Sequence, residues 1–228
     1  MTRAPTRRGS VPAAVAAKML ETGRRMSATR LSPGRSGNFS ARHGDGMVIT
    51  PTGKSYDELS MEDLVLVDAD GKRAPGGGTP SSEWRMHLAI YRARPDCAAI
   101  VHTHSRHATA LACAHRPIPA FHYMVAAFGG AHVACAPYAT YGSELLAQLA
   151  VKALGPRHAC LLANHGSLAL GADLREAFDR ARDLEDLAAQ YILALQAGRP
   201  RILSARDMKI VLAKFSTYGA PDEEGDEG

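Results

Sequence analysis

The sequence predicts an α/β protein: a single three-layer α/β/α domain around a mixed, largely antiparallel central sheet. Three observations carry that reading. Apolar runs of strand length recur along the chain, at residues 47–50, 64–68, 97–101 and 161–163. Stretches with apolar residues at helical spacing lie among them, the longest over residues 174–196. Glycine turns, Gly44-Asp45-Gly46 and Asp70-Gly71, join neighbouring strands in the first third, which favours antiparallel pairing there. With 228 residues, 46% hydrophobic and 22% charged, the chain is long enough to bury one sizeable core and ordinary for a soluble globular protein.

The elements follow in order. Residues 12–28 carry Val15, Met19 and Met26 on a helical period, and Pro33-Gly34 breaks that helix. Phe39-Ser40-Ala41-Arg42 alternates as a strand does, and residues 47–50 supply its hairpin partner, closed by Pro51-Thr52-Gly53. Residues 64–68 form another strand, and Pro75-Gly76-Gly77-Gly78 a loop without the Lys-Ser pair that a nucleotide phosphate loop requires. Ser81 and Ser82 precede Trp84, Leu88 and Tyr91, spaced i, i+4, i+7 on one helix face, with Glu83 in the first turn where a carboxylate suits the helix dipole. Such a helix start is also a ready anion site. The helix stops near Pro95, and residues 97–101 read as a buried strand. Residues 105–114 read as a helix in which His107 is structural. Residues 123–127 and 131–136 read as short strands split by Gly129-Gly130, and helices follow over residues 143–154, 174–196 and 205–215.

His102 and His104 follow the strand at i, i+2, so both imidazoles share one face and can reach one metal ion. The pair alone is equally compatible with a polar strand end. The apolar run at residues 161–163 leads into Asn164-His165-Gly166, a second strand ending in histidine, and three histidines with an open position is the ligand count of a catalytic zinc centre.

The net charge of +4 is uneven: residues 1–30 hold seven Lys and Arg against Glu21 alone. No stacking aromatic lies among them, so a solvated extension over residues 1–11 is expected rather than a nucleic-acid arm. Residues 221–228 read as an acidic, flexible tail. No apolar run reaches transmembrane length, so no membrane partner is expected. Cys97, Cys113, Cys135 and Cys160 form no C-x-x-C pair, which points to free thiols in a reducing cytoplasm.

Taken together, Ser36-Gly37-Asn38-Phe39-Ser40-Ala41-Arg42, Ile49-Thr50-Pro51-Thr52-Gly53, Pro80-Ser81-Ser82-Glu83-Trp84, His102-Thr103-His104 and Asn164-His165-Gly166 occur in the order found in the class II aldolase/adducin family. The chain resembles that family over residues 12–220, and most closely its enzymes acting on L-fuculose 1-phosphate. Phe121-His122-Tyr123-Met124, Ala136-Pro137-Tyr138-Ala139-Thr140 and Lys214-Phe215-Ser216-Thr217-Tyr218-Gly219 extend the match. The resemblance implies an aldolase that cleaves a ketose 1-phosphate to dihydroxyacetone phosphate and an aldehyde through a zinc-stabilised enediolate. One Zn2+ per subunit would sit on His102, His104 and His165. Glu83 would transfer the proton at carbon. Asn38, Thr52, Gly53, Ser81 and Ser82 would hold the phosphate of the phosphorylated sugar. Tyr123 would protonate the aldehyde oxygen from across a subunit boundary, Tyr218 would close over a neighbour's site, and Tyr141 and Phe215 would wall the aldehyde pocket. A C4 homotetramer with active sites between subunits is implied as well. Arg35 departs from the family pattern, which often has a small polar residue there.

The same superfamily holds sugar-phosphate 4-epimerases, which typically carry aspartate after the Ser-Ser pair where this chain has Glu83, and methylthioribulose-1-phosphate dehydratases, which keep the three histidines. A non-enzymatic interaction domain like the adducin head would be expected to lack the metal set.

Overall fold

The computed structural model describes residues 11–75 and 78–215; the basic start before Val11 and the chain from Ser216 on, Tyr218 included, lie outside them. Seven strands form one sheet: β1 (Asn38–His43), β2 (Gly46–Ile49), β3 (Val65–Val67), β4 (Ala99–Thr103), β5 (Ala134–Ala136), β6 (Ala159–Leu162) and β7 (Gly166–Gly171). Their order is β3-β2-β1-β4-β7-β6-β5, and every neighbouring pair is antiparallel except β5 and β6. The fold is the mixed, layered α/β arrangement that the sequence predicts.

Among the described residues six helices cover the sheet: α1 (Ala13–Thr29), α2 (Trp84–Ala93), α3 (Arg106–Cys113), α4 (Glu144–Leu154), α5 (Leu174–Ala197) and α6 (Ala205–Phe215). On one face α2 and α4 bury Met86, Ile90, Leu146 and Ala150 against Ile100, Leu168 and Leu170. On the other, α1 and α5 bury Met19, Met26 and Phe178 against Phe39, Val101 and Ala169. Beside them α3, α5 and α6 pack Leu111, Leu187 and Met208 against Leu161. Side chains alternate across a strand. His102 therefore shares the face of Ile100 and points toward α2, while Val101 faces the α1 and α5 layer.

Four local readings change. β4 runs two residues further than the apolar stretch at 97–101, so His102 lies inside the strand, paired with Asn38 of β1 and Leu168 of β7. β7 is a strand that hydropathy alone did not mark; buried along its whole length, it lacks the alternation that flags a half-exposed strand. Residues 123–127 are not a strand: Tyr123–Phe128 is a 3-10 turn. Its start is capped by His122 Nδ1, which accepts from Met124 N at 3.2 Å, and its end by Gly129 at φ +76°. α2 begins one residue later than the serine pair implies, with Glu83 as its N-cap residue. That carboxylate is engaged with side chains rather than with the helix start.

All four cysteines are free, and among the described residues no helix is long and apolar enough to cross a membrane.

Candidate active site

Four side chains from three segments converge at one end of β4. His102 comes from within the strand and His104 from just past its end, where its backbone N–H donates to Ser32 Oγ at 3.1 Å. His165 comes from the turn between β6 and β7, where Asn164 takes the left-handed conformation at φ 53° that asparagine tolerates. Gly166 follows because a Cβ there would strike Thr103 O and come within 2.9 Å of the His104 ring. Gly37, at φ +73°, leaves room for the backbone of His102 in the same way. Glu83 reaches in from the start of α2.

His102 Nε2 lies 2.9 Å from His104 Nε2 and 3.0 Å from Glu83 Oε2, and Glu83 Oε1 lies 3.3 Å from His165 Nε2. One ligand atom from each of the four residues falls within 4.8 Å of all the others. The three rings stand nearly perpendicular to one another, at 68–78°, with centroids 4.8–4.9 Å apart. Donor chemistry fits a cation at their centre. His102 Nδ1 is 2.9 Å from Ser167 O, a carbonyl that only accepts, so that nitrogen carries a proton. In the neutral ring Nε2 then presents a lone pair to His104. Two such lone pairs repel unless a positive charge lies between them. Glu83 Oε1 and His165 Nδ1 are buried without a hydrogen-bond partner among the described residues. Three imidazoles and a carboxylate, with one imidazole fixed by a backbone carbonyl, is a metal-centre donor set.

The electrostatics agree. Burial pushes the Glu83 carboxyl up, but the charge and hydrogen bond of His102 outweigh it, so Glu83 stays ionised well below the usual carboxylate range. Burial pulls His102 down, and Glu83 more than reverses this, so His102 is raised. Burial first, then the charge on His102, drives His104 to about 3 and His165 to about 4. The shifts leave His104 and His165 as neutral imidazoles, the form that binds a metal.

A polar seam ties Glu83 to the sheet. Asn38 Nδ2 donates to Glu83 Oε2 at 2.9 Å. Two residues along β1, Ser40 Oγ lies 2.7 Å from His87 Nδ1 and 2.8 Å from Tyr91 OH. Two further on, the Arg42 guanidinium donates to Tyr91 O and Arg94 O, each at 2.8 Å. Every second strand residue meets every fourth helix residue, which is how a strand face and a helix face match. This seam fixes the register of α2, and therefore the place of Glu83. The sequence reading placed Tyr91 on an apolar face and did not single out His87 or Ser40. The spacing Glu83, His87, Tyr91 at i, i+4, i+8 beside Asn38, Ser40, Arg42 at i, i+2, i+4 was the available signal.

Burial, and then the charge on His102, lowers the fully buried His87 to about 3. Its folded pKa lies below the unfolded value near 6.5, so its contribution to stability is complete above that value and is lost as pH falls toward 3. Each such proton costs about 1.4 kcal/mol per pH unit across that window. The urea midpoint should therefore fall between pH 6.5 and 4, and His87→Gln should flatten that fall. An equal slope in the variant would contradict a buried neutral His87.

A cavity of about 320 Å³ opens beside the cluster. Its lining brings together Glu83, His104 and His165 with Asn38, Thr52, Gly53, Ser81, Ser82 and Tyr141. Ser36, Tyr138 and Asn164, which sequence reasoning placed in motifs but gave no site role, line it too. Asn38 has a second engagement through the hydrogen bond that its side-chain amide donates to Glu83. Tyr123 and Phe215 do not line this cavity. They lie near each other, ring centroids 6.5 Å apart, with Tyr123 52% exposed. Tyr218 falls outside the described residues. His107 is engaged elsewhere: Glu185 accepts from its ring at 2.7 Å and from the first backbone amides of α3.

Residues 17–192 match the family model of the class II aldolase and adducin N-terminal domain. The chain is 46% identical over 201 residues to a 5-methylthioribulose-1-phosphate/5-deoxyribulose-1-phosphate aldolase of Rhodospirillum rubrum, covering 88% of this chain and 90% of that one. It is 44% identical over 211 residues to an L-fuculose phosphate aldolase of Escherichia coli O6:H1, covering 92% and 98%. Among solved structures, an L-fuculose 1-phosphate aldolase superposes with a TM-score of 0.87 at 40% identity, over 91% of this chain and 98% of that one.

Proposed function

Because this chain belongs to the class II aldolase and adducin family, and is a lyase, we propose that it cleaves a ketose 1-phosphate reversibly to dihydroxyacetone phosphate and an aldehyde. The observation that carries this reading is a single cavity lined by two unlike sets of groups. One belongs to a carboxylate among three imidazoles; the other is a set of hydroxyls and an amide, with Ser81 and Ser82 just before a helix. The names of the two relatives share a phosphorylated ketose and differ in the rest of the sugar. The proposal accordingly commits to the ketose 1-phosphate and leaves the aldehyde to a substrate screen.

His102, His104 and His165 would hold one divalent metal per subunit, zinc by the chemistry of the donor set. When bound, that ion supplies a Lewis acid for the substrate's carbonyl and neighbouring hydroxyl oxygens. Glu83, held by Asn38 and kept ionised, takes a proton from the carbon of dihydroxyacetone phosphate in the condensation direction. In cleavage it returns that proton to the same carbon after the C–C bond has broken. Thr52, Gly53, Ser81 and Ser82 bind the phosphate through hydroxyls and helix-start amides, with Asn38 beside them, and so orient the reacting carbon. Ser82→Ala should raise KM for the phosphorylated ketose more than for the unphosphorylated one; an unchanged ratio would remove Ser82 from the phosphate site.

Tyr123 and Phe215, away from their own cavity, support a site completed by a neighbouring subunit of a C4 homotetramer, with Tyr123 exchanging the proton of the aldehyde oxygen and Tyr218 closing over it. Tyr141 lies at the cavity, where it and the neighbour's Phe215 would wall the aldehyde. Tyr123→Phe and Glu83→Gln subunits, each impaired alone, should then regain part of the activity when mixed and reassembled. No recovery in mixed tetramers would place each site within one subunit. The four free cysteines support a cytoplasmic enzyme.

The experiment for the whole reading is a screen of ketose 1-phosphates, including L-fuculose 1-phosphate and 5-methylthioribulose 1-phosphate, with coupled detection of dihydroxyacetone phosphate. Its release supports the aldolase. An isomeric sugar without release would indicate an epimerase, and loss of water a dehydratase.

A further inference from the structure

We propose that Arg35 is a specificity residue that selects a dianionic phosphate in the cavity beside the imidazoles; the inference rests on the aldolase reading above. Arg35 is the one arginine or lysine in the cavity lining. It sits in a tight turn in which Ser36 N–H and Ser36 Oγ both donate to Pro33 O, at 3.2 and 2.6 Å, flanked by Gly34 and Gly37 at positive φ. The turn places Arg35 in the same cavity lining as Ser36, Asn38, Thr52, Gly53, Ser81 and Ser82. Arg25 pairs with Asp179, Arg42 donates to three backbone carbonyls, and Arg94 pairs with Asp96. Arg35, by contrast, has no ion pair or hydrogen bond among the described residues. The single carboxylate of the lining, Glu83, is taken up by Asn38, His102 and His165.

Charge balance makes the guanidinium matter. A phosphate monoester carries nearly two negative charges at neutral pH, its second pKa being about 6. Hydroxyls and amides satisfy its lone pairs but bring no net charge. Arg35 supplies a positive charge and a planar fork of donors that fits two phosphate oxygens at once. This predicts preference for the dianion over a neutral sugar end, rather than a change in the chemistry at carbon.

The test compares wild type, Arg35→Ala and Arg35→Lys by calorimetric titration with dihydroxyacetone phosphate, inorganic phosphate and unphosphorylated dihydroxyacetone, beside steady-state kinetics. Arg35→Ala should weaken both phosphate ligands about 10-fold, a charge-assisted hydrogen bond's share of affinity. It should raise KM for the ketose 1-phosphate similarly with kcat retained, and leave dihydroxyacetone unaffected. Arg35→Lys should recover part of the loss, and the salt dependence of phosphate binding should shrink in Arg35→Ala. Wild type that binds dihydroxyacetone phosphate and an Arg35→Ala variant that binds it equally well would overturn the role of Arg35 and leave the aldolase reading standing. Wild type that binds neither phosphate ligand would overturn both.

Discussion

Glu83→Gln is expected to lower the rate of cleavage by about 10²–10⁴-fold, the usual contribution of a positioned acid–base group, while the protein stays folded. Glutamine keeps the length and one accepting oxygen, so the Asn38 bond can persist, but it cannot carry a proton to or from carbon. The side chain is buried beside His102, so the variant also removes the negative charge that raises the His102 pKa. Metal binding should not suffer from that loss, because neutral imidazoles are the binding form. Glu83→Gln should therefore retain its metal and its thermal midpoint within a few degrees while losing turnover. If metal and activity vanish together, Glu83 is a ligand first, and its assignment as the proton carrier fails.

His102→Ala should empty the centre. His102 is fully buried, its Nδ1 tied to Ser167 O, and its Nε2 faces both His104 and Glu83. Loss of a partner that merely orients a ligand typically costs 10–100-fold in metal affinity, so loss of the ligand should exceed about 100-fold. Elemental analysis should find about one metal per wild-type subunit and almost none in His102→Ala, with activity absent. A stability cost is expected too, because alanine leaves a cavity under α2 and a buried Glu83 carboxylate without its His102 partner. His165→Ala separates the two effects. Its ring is partly exposed and comes from a turn, so metal should be lost there with less damage to the fold.

The site was legible in the sequence where its parts are local. His102 and His104 are two residues apart on one strand, Ser81, Ser82 and Glu83 share one helix start, and His165 sits between an apolar run and a glycine. Their convergence was not legible, because it depends on β4 lying between β1 and β7. The pairing of His102 with Asn38 and Leu168 sets it, and β7 itself carries no alternation to betray it. The engagement of Asn38 with Glu83 was hidden for the same reason: sequence assigns asparagine beside glycine to turn or anion chemistry, while its amide here orients a carboxylate 45 residues away. Residues 123–127 misled because five mostly apolar residues have the same pattern in a strand and in a 3-10 turn. Only the cap from His122 and the left-handed Gly129 decide between them.

The most direct test of the account is exchange of the carbon-bound proton of dihydroxyacetone phosphate with deuterated solvent, with metal-loaded wild-type protein and no aldehyde. It isolates proton transfer at carbon from aldehyde binding and from Tyr123. The account expects one deuteron incorporated on the carbon that bonds to the aldehyde, with a rate that falls by about 10²–10⁴-fold in Glu83→Gln. Protein that binds dihydroxyacetone phosphate with its metal in place, yet exchanges no proton, would contradict it.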